Sequence, residues 1–371
     1  MAEGTSRRKS QHISISLRND VQARNVTTGF EDVIFVHKAL PETDRQKVDL
    51  STTVFGHKFA APLIAGAITG GTKKATKING TIAEAVEQLG LGMGVGSQRA
   101  ALEDKRLEES FAVARKKAPT AFLIANIGGA QLVNGYGMKE VRKAMQMIQA
   151  DALAIHLNAL QESAQPEGQT NFAGILEKVG RIAGQLEKPV IVKETGAGMA
   201  AEEAKAVEAA GIKGIDVSGA GGTSWAAVEY YRAKELQDRV RRRLGGVFWD
   251  WGIPTAVSIV EVSQTVKVPV VASGGVRSGV DVAKALALGS SLTSLSQPVL
   301  RAAVKGVRET ESILSLLMDE LRNVMFLVGA GSIETLGKVP VVLVGRTSEW
   351  LKTRGFDIES YARRGRNCSE L

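Results

Sequence analysis

The chain of 371 residues has one cysteine, Cys368, so neither an internal disulfide nor a cysteine-built metal site is open to it. A reducing compartment is compatible with that. Aromatic residues make up only 5% of the sequence, while glycine occurs 40 times. That imbalance argues against a β-sandwich and for repeated strand–turn–helix units. No apolar run approaches the ~18 residues of a membrane span, and the first residues lack a signal peptide's apolar core. The expectation is a cytoplasmic protein with no membrane partner. Aromatics are not interleaved with basic residues as on an RNA-binding surface, so nucleic acid explains the net charge of +8 poorly. That charge suits a phosphorylated ligand. The dense basic clusters are Arg7-Arg8-Lys9, Arg239 to Arg243 and Arg363 to Arg366; the last two read as solvated surface or tail.

What the sequence does have is a repeat. Apolar runs of strand length stand at Pro62–Ala65, Leu91–Val95, Ala121–Ala125, Ala152–Leu157, Val190–Val192, Gly214–Val217, Val268–Ala272 and Leu292–Leu295. Helix-period segments such as Lys77–Leu89, Gly137–Gln149 and Val276–Leu288 lie between them. Continuous apolar runs fit strands covered on both faces, and eight such units close an α/β fold into a TIM (β/α)8 barrel. Residues 46–345 are assigned to the barrel, with an insertion at about 219–254 after the sixth strand holding Trp225, Trp249 and Trp251. An insertion that long is a lid or an interface. Residues 1–45 form an N-terminal arm, in which Arg7 to Leu17 alternates as an edge strand or extended arm would. Residues 346–371 are a loose basic tail.

Barrel enzymes work at the C-terminal strand ends, and here nearly every end is polar. They carry Ala67-Ile68-Thr69, Ser97-Gln98-Arg99, Asn126, His156-Leu157-Asn158, Lys193-Glu194, Ser218 with the run Gly219 to Thr223, and Ser273-Gly274-Gly275. Glycines between strand and helix let backbone N–H groups approach an anion, which the helix N-terminus and Arg277 favour; the same turn also serves merely to relieve backbone strain. Lys193 suits a Schiff base, a general base or a cation beside a developing anion. Two glycine-rich loops after late strands favour the last, next to a phosphate-anchored cofactor. His156 and Asn158 point to one side of a strand. Glu162 follows at a helix start, where a carboxylate either caps the helix or holds Mg²⁺. The cluster at Arg8, Lys9 and His12 is either a disordered basic tail or an arm folded over the barrel mouth.

Together these residues resemble the type 2, FMN-dependent isopentenyl-diphosphate delta-isomerases. The similarity spans nearly the whole chain: Arg8-Lys9 with His12, Ser97-Gln98-Arg99, Asn126, HLNALQE from His156 followed by QPEG from Gln165, VKETGAG around Lys193, VSGAGGTSW around Ser218, and SGGVRSG from Ser273. The resemblance implies FMN bound by Ala67, Ile68, Thr69, Ser97, Asn126, Lys193, Ser218, Thr223, Gly275, Val276, Arg277, Ser296 and Gln297. It implies isopentenyl diphosphate held by Arg8, Lys9, His12, Ser97, Gln98, Arg99, Asn158 and Gln161, with Mg²⁺ on Glu162. The implied reaction is a 1,3-proton shift to dimethylallyl diphosphate, with His156, Gln161, Glu229 and Lys193 catalytic. NADPH serves only to reduce the flavin, and a homo-oligomer, tetramer or octamer, is expected. Ile68, Gln11 and the polar end Thr293 to Gln297 depart from the family pattern. The rival reading is an FMN oxidoreductase of the 2-hydroxy-acid oxidase or dihydroorotate dehydrogenase type; against it stand the Mg²⁺ carboxylate and the basic arm.

Overall fold

The structure, a computed structural model, describes residues 2–365, with side chains from residue 7 onward. Arg366 and Cys368 lie outside the described residues. Three short strands come first: β1 (Val33–Phe35), β2 (Thr52–Val54) and β3 (His57–Phe59). The barrel follows as β4 (Leu63–Ala65), β5 (Gly92–Gly94), β6 (Phe122–Gly128), β7 (Ala152–His156), β8 (Val190–Lys193), β9 (Gly214–Asp216), β10 (Val270–Ser273) and β11 (Leu292–Leu295). All eight pair in parallel, and β11 closes on β4 through Thr293 opposite Leu63 and Leu295 opposite Ala65. Their side chains are buried almost throughout, as the unbroken apolar runs require.

Two features of the barrel's ends position the site. Below, β2 and β3 form a hairpin that plugs the N-terminal end. Phe55 at its turn stacks on Phe122 with ring centroids 5.9 Å apart, and Phe59 meets Phe122 edge-on at 5.5 Å. Val54 and Phe59 join Ile64, Ile124, Ile191 and Val271 in the barrel interior. Only the C-terminal mouth stays open. Above, the insertion folds as two helices, Trp225–Glu235 and Arg239–Val247.

Two sequence expectations need correction. Arg7 to Leu17 is not an extended strand but part of a helix, Ala2–Arg18. Its Ile-Ser-Ile alternation arises because the helix lies between two apolar surfaces. Ile13 enters the main core around the barrel, while Ile15 packs with Val228 and Trp249 of the insertion. The C-terminal stretch is not loose through residue 365. Helices Gly345–Thr353 and Glu359–Arg363 bury Leu351 and Tyr361, and the Tyr361 hydroxyl donates to Leu288 O at 3.0 Å. Two of its basic residues are held to the body while Arg363 stays exposed: Arg354 pairs with the buried Glu261 at 3.1 Å, and Arg364 Nη1 donates to Ala287 O at 2.6 Å. Strand β12 (Val341–Leu343) pairs antiparallel with β1 outside the barrel. In the insertion, Arg241 Nη1 donates to Ser163 O, which ties that basic run to the helix Ala159–Ala164 instead of leaving it all to solvent.

Candidate functional site

A cleft of about 200 Å³, partly open to solvent, occupies the barrel mouth beneath the N-terminal helix. The helix contributes Lys9, His12, Ile13 and Ser16, spaced three and four apart along one face, together with Arg8. The strand ends contribute Ala67, Ile68 and Thr69 after β4, Ser97 and Arg99 after β5, and Asn126 from β6. Opposite lie His156, Asn158, Gln161 and Glu162, then Lys193, Ser218 and Thr223, and finally Ser296 and Gln297. Most of the residues expected from sequence therefore meet in one place.

Cations crowd one side. Lys9 Nζ donates to Ser97 O at 2.6 Å. Burial, followed by the nearby charges of Arg8 and Arg99, lowers its pKa to about 7. Arg8 is lowered for the same reasons, burial first, and its nearest carboxylate, Glu167, is 3.9 Å away. Arg99 pairs with Glu103 at 2.7 Å. Three cations that oppose one another's charge make a strong site for a multivalent anion.

Beside them, Glu162 is buried. One of its oxygens accepts from Asn158 Nδ2 at 3.0 Å, and the other accepts from Gln165 Nε2 and from the Gln169 N–H. Asn158 Oδ1 is buried and takes no hydrogen bond. A carboxylate beside an unused amide oxygen is a hard oxygen donor set that fits Mg²⁺, which takes its remaining ligands from water and phosphate. Among the described residues no cluster of three or more acidic, His or Cys side chains gathers around a metal position.

His156 is half-buried at the cleft wall. Asn126 Nδ2 donates to Val95 O at 3.0 Å, which turns its Oδ1 toward His156 Nδ1 at 2.8 Å. The ring therefore carries its proton on Nδ1 and offers Nε2 as an acceptor. Burial, reinforced by Lys193 and Lys9, lowers its pKa to about 3, so it is neutral at pH 7. One layer behind the cleft, Glu229 is completely buried on the insertion helix. Its Oε1 accepts from Gln161 Nε2 at 3.1 Å and lies 2.9 Å from His12 Nε2, and its Oε2 accepts from Arg232 Nη1 at 2.6 Å. Burial alone would raise its pKa; His12, Arg232 and Gln161 outweigh that and bring it to about 2.

The glycine-rich loops meet as expected. A Cβ on Gly222 would fall 2.4 Å from Gly275 N, so only glycine allows the contact. The Gly222 and Gly275 N–H groups have no hydrogen-bond acceptor among the described residues, and Gln297 Nε2 at the cleft wall is likewise an unpartnered buried donor. Backbone donors of this kind fit a phosphate, and the cleft beside them fits a flavin. Near them, Lys193 Nζ donates to Glu194 O at 2.7 Å, and burial raises the Glu194 carboxyl to about 7.

Three of the expected residues do not turn their side chains into the cleft. Gln98 is fully buried behind the cleft, donating to Ala144 O at 2.8 Å and accepting from Asn126 N at 2.9 Å, so it shapes the β5–β6 ends and is not free to hold substrate. The Val276 side chain is in the core. Arg277 donates to Val276 O and to Gln22 Oε1, both at 2.9 Å, and its own N–H goes to Asp281, so it braces the loop rather than facing an anion. Sequence reasoning also passed over Arg232 and Gln22. The available signal for Arg232 was its spacing of three from Glu229 on a helix.

Residues 132–342 match the FMN-dependent dehydrogenase family. The isopentenyl-diphosphate delta-isomerase of Methanosarcina barkeri is 48% identical over 362 residues, 98% of each chain. That of Methanothermobacter thermautotrophicus is 47% identical over 97% of this chain and 99% of its own. That of Pyrococcus furiosus is also 47% identical, over 98% and 93%. Among solved structures, a lactate oxidase from Pediococcus acidilactici superposes with a TM-score of 0.64 at 20% identity, over 93% of this chain and 94% of its own. A mandelate oxidase reaches 0.60 at 20% identity, over 92% and 98%. These two likenesses concern the barrel fold.

Proposed function

The chain belongs to the FMN-dependent, type 2 isopentenyl-diphosphate delta-isomerases, and on that premise we propose that it converts isopentenyl diphosphate to dimethylallyl diphosphate by a 1,3-proton shift, with Mg²⁺ and NADPH-reduced FMN, as a homo-oligomer. The observation that carries the reading is the gathering of Arg8, Lys9 and Arg99 beside the buried Glu162, at the same mouth as a neutral histidine, with the Gly222 N–H, next in sequence to the wall residue Thr223, without an acceptor among the described residues. A small hydroxy acid has no use for three cations and a metal carboxylate. A diphosphate does.

FMN would be held by Gly222 and Gly275 at its phosphate and by Thr69, Ser97, Asn126 and Lys193 along the cleft. When bound in its reduced form, it supplies an acid/base beside the alkene with no net redox change. The chain's own groups do the rest. Arg8 and Arg99 present guanidinium forks to phosphate oxygens, and Lys9 adds a point charge. Glu162 offers its carboxylate to the metal. Gln161 is fixed between Asn158 and Glu229, at 3.2 and 3.1 Å, so its amide is oriented before substrate enters. His156 stays uncharged and places no second cation beside the apolar double bond. The arm helix and Trp225 line the mouth and narrow its opening to water.

The test is anaerobic incubation of the protein with isopentenyl diphosphate, Mg²⁺, FMN and NADPH or dithionite. Dimethylallyl diphosphate is expected only when the flavin is reduced, with NADPH consumed far below product. Product absent under these conditions would overturn the proposal.

A further inference from the structure

Arg232 has the fewest exposed atoms of any cation near the site, its side chain being 3% exposed, and the reaction as outlined gives it no task. Its guanidinium joins three elements. Nη1 donates to Glu229 Oε2 at 2.6 Å on its own helix, Nη2 to Glu167 Oε1 at 2.7 Å in the loop after Glu162, and Nε to Gln11 Oε1 at 3.3 Å on the arm helix. Glu167 in turn faces Arg8, and Gln11 Nε2 donates to Glu235 at 3.1 Å. A buried arginine is costly unless each face of its fork is met, and here every face is met by a different element.

The consequence concerns Glu229. Its two oxygens are divided, Oε2 toward Arg232 and Oε1 toward Gln161 and His12. Both oxygens are met by donors and none of their partners offers an acceptor in this arrangement, as suits an ionised, acceptor-only carboxylate, and that state dictates the rest. Gln161 must present its NH₂ to Glu229 and its carbonyl to Asn158, and His12 must carry its proton on Nε2. Were Glu229 protonated, its O–H would need an acceptor, and Gln161 would have to turn its amide over or His12 shift its proton to Nδ1.

We propose that Arg232 is a positioning residue for the isomerase: by holding Glu229 as a carboxylate it fixes the amide orientation of Gln161 and the tautomer of His12, and through Glu167 it docks the arm that carries Arg8. The inference rests on the isomerase reading for its kinetic consequence, though not for its titration. The charged groups facing the His12–Glu229 pair are Arg8 from the arm and Arg232 from the insertion helix, with Glu167 from the loop and Glu235 at the end of the insertion helix one contact further out, on Arg232 and on Gln11; the uncharged Trp225 ring stands edge-on to His12 at 5.2 Å. Removing the arginine charge raises the pH at which the His12–Glu229 pair takes up its first proton.

The experiment compares the native holoenzyme with Arg232→Met, Arg232→Gln and Arg232→Lys. The chain has four histidines, so ¹⁵N-histidine NMR with His12→Gln as the assignment control follows the pair directly. In R232M the first protonation is expected at least one pH unit higher than in the native protein, with kcat lowered about 100-fold, as for loss of a general acid–base arrangement, and with an acid limb newly visible in its pH profile. R232K is expected to restore the native titration, because it keeps the charge, and only part of kcat, because it loses the fork. FMN affinity should be native in all three. Should R232M not fold, R232Q reads the same shift. A native titration and pH profile in the folded neutral variants overturns the inference. A protein without turnover whose titration still shifts overturns the isomerase reading instead.

Discussion

Lys9 is the residue whose chemistry is set most plainly by its surroundings. Burial and two arginines bring its pKa to about 7, so near neutral pH a fraction of free protein carries it uncharged. A bound diphosphate adds negative charge and raises that pKa toward the ordinary lysine range, so binding takes up a proton. Affinity for inorganic diphosphate is therefore expected to fall as pH rises from 7 toward 10. Calorimetry in buffers of different ionisation enthalpy should show proton uptake near pH 8, and Lys9→Met should abolish it. Glu162 gives a second expectation at this scale. Glu162→Gln is expected to raise the Mg²⁺ concentration for half-maximal activity about tenfold or more, a loss of the kind seen when a metal site is weakened, while FMN binds as before. Metal titration of the activity checks it. Residue types also explain what could be read early. His156, Asn158 and Glu162 were visible because their spacing on a strand and the following turn is informative. The roles of Gln98 and Arg277 were not, since a strand-end position does not say whether a side chain turns into the mouth or back toward its neighbours.

At the scale of elements, three pieces that do not belong to the barrel repeat shape the site: the arm helix, the segment after it, and the hairpin plug. Segment 21–28 crosses the glycine-rich loops, with Ala23 N donating to Gly222 O at 2.8 Å and Trp249 Nε1 donating to Gln22 O at 2.8 Å. Gly221 sits under it at φ +106°, and a Cβ there would lie 2.2 Å from Thr28 N. Gly221→Ala is thus expected to lift the segment and weaken FMN binding, by roughly 1–3 kcal/mol if only the backbone strain is counted; fluorescence titration of FMN measures it. The plug behaves oppositely. Phe59 is fully buried far below the mouth, so Phe59→Ala should cost about 3–5 kcal/mol in stability and leave flavin affinity of the folded protein unchanged, as denaturant unfolding and FMN titration together would show. Neither the arm helix nor the plug was legible in the sequence. The arm's alternation mimics a strand because a helix wedged between barrel and insertion buries two opposite faces. The plug turns through Phe55 and Gly56, both at positive φ, and Phe55 accepts that conformation where its ring stacks on Phe122. No turn signal in the sequence marks such a trade.

For the whole molecule, the repeat was readable because each barrel strand is covered on both faces, so its run is apolar without interruption. The barrel explains why polar groups far apart in sequence share one mouth. The arm and the insertion explain why that mouth is covered by residues that no strand end supplies. The joint result is a cleft whose cations, carboxylate and neutral histidine suit moving a proton along an allylic diphosphate. The most direct test of that claim is to run the reduced-flavin reaction in D₂O and follow the product by proton and deuterium NMR. One solvent deuteron is expected in the new methyl group of dimethylallyl diphosphate per turnover, with no stoichiometric oxidation of NADPH. An oxidised product formed with equivalent electron transfer to the flavin, or product without solvent deuterium, would contradict it.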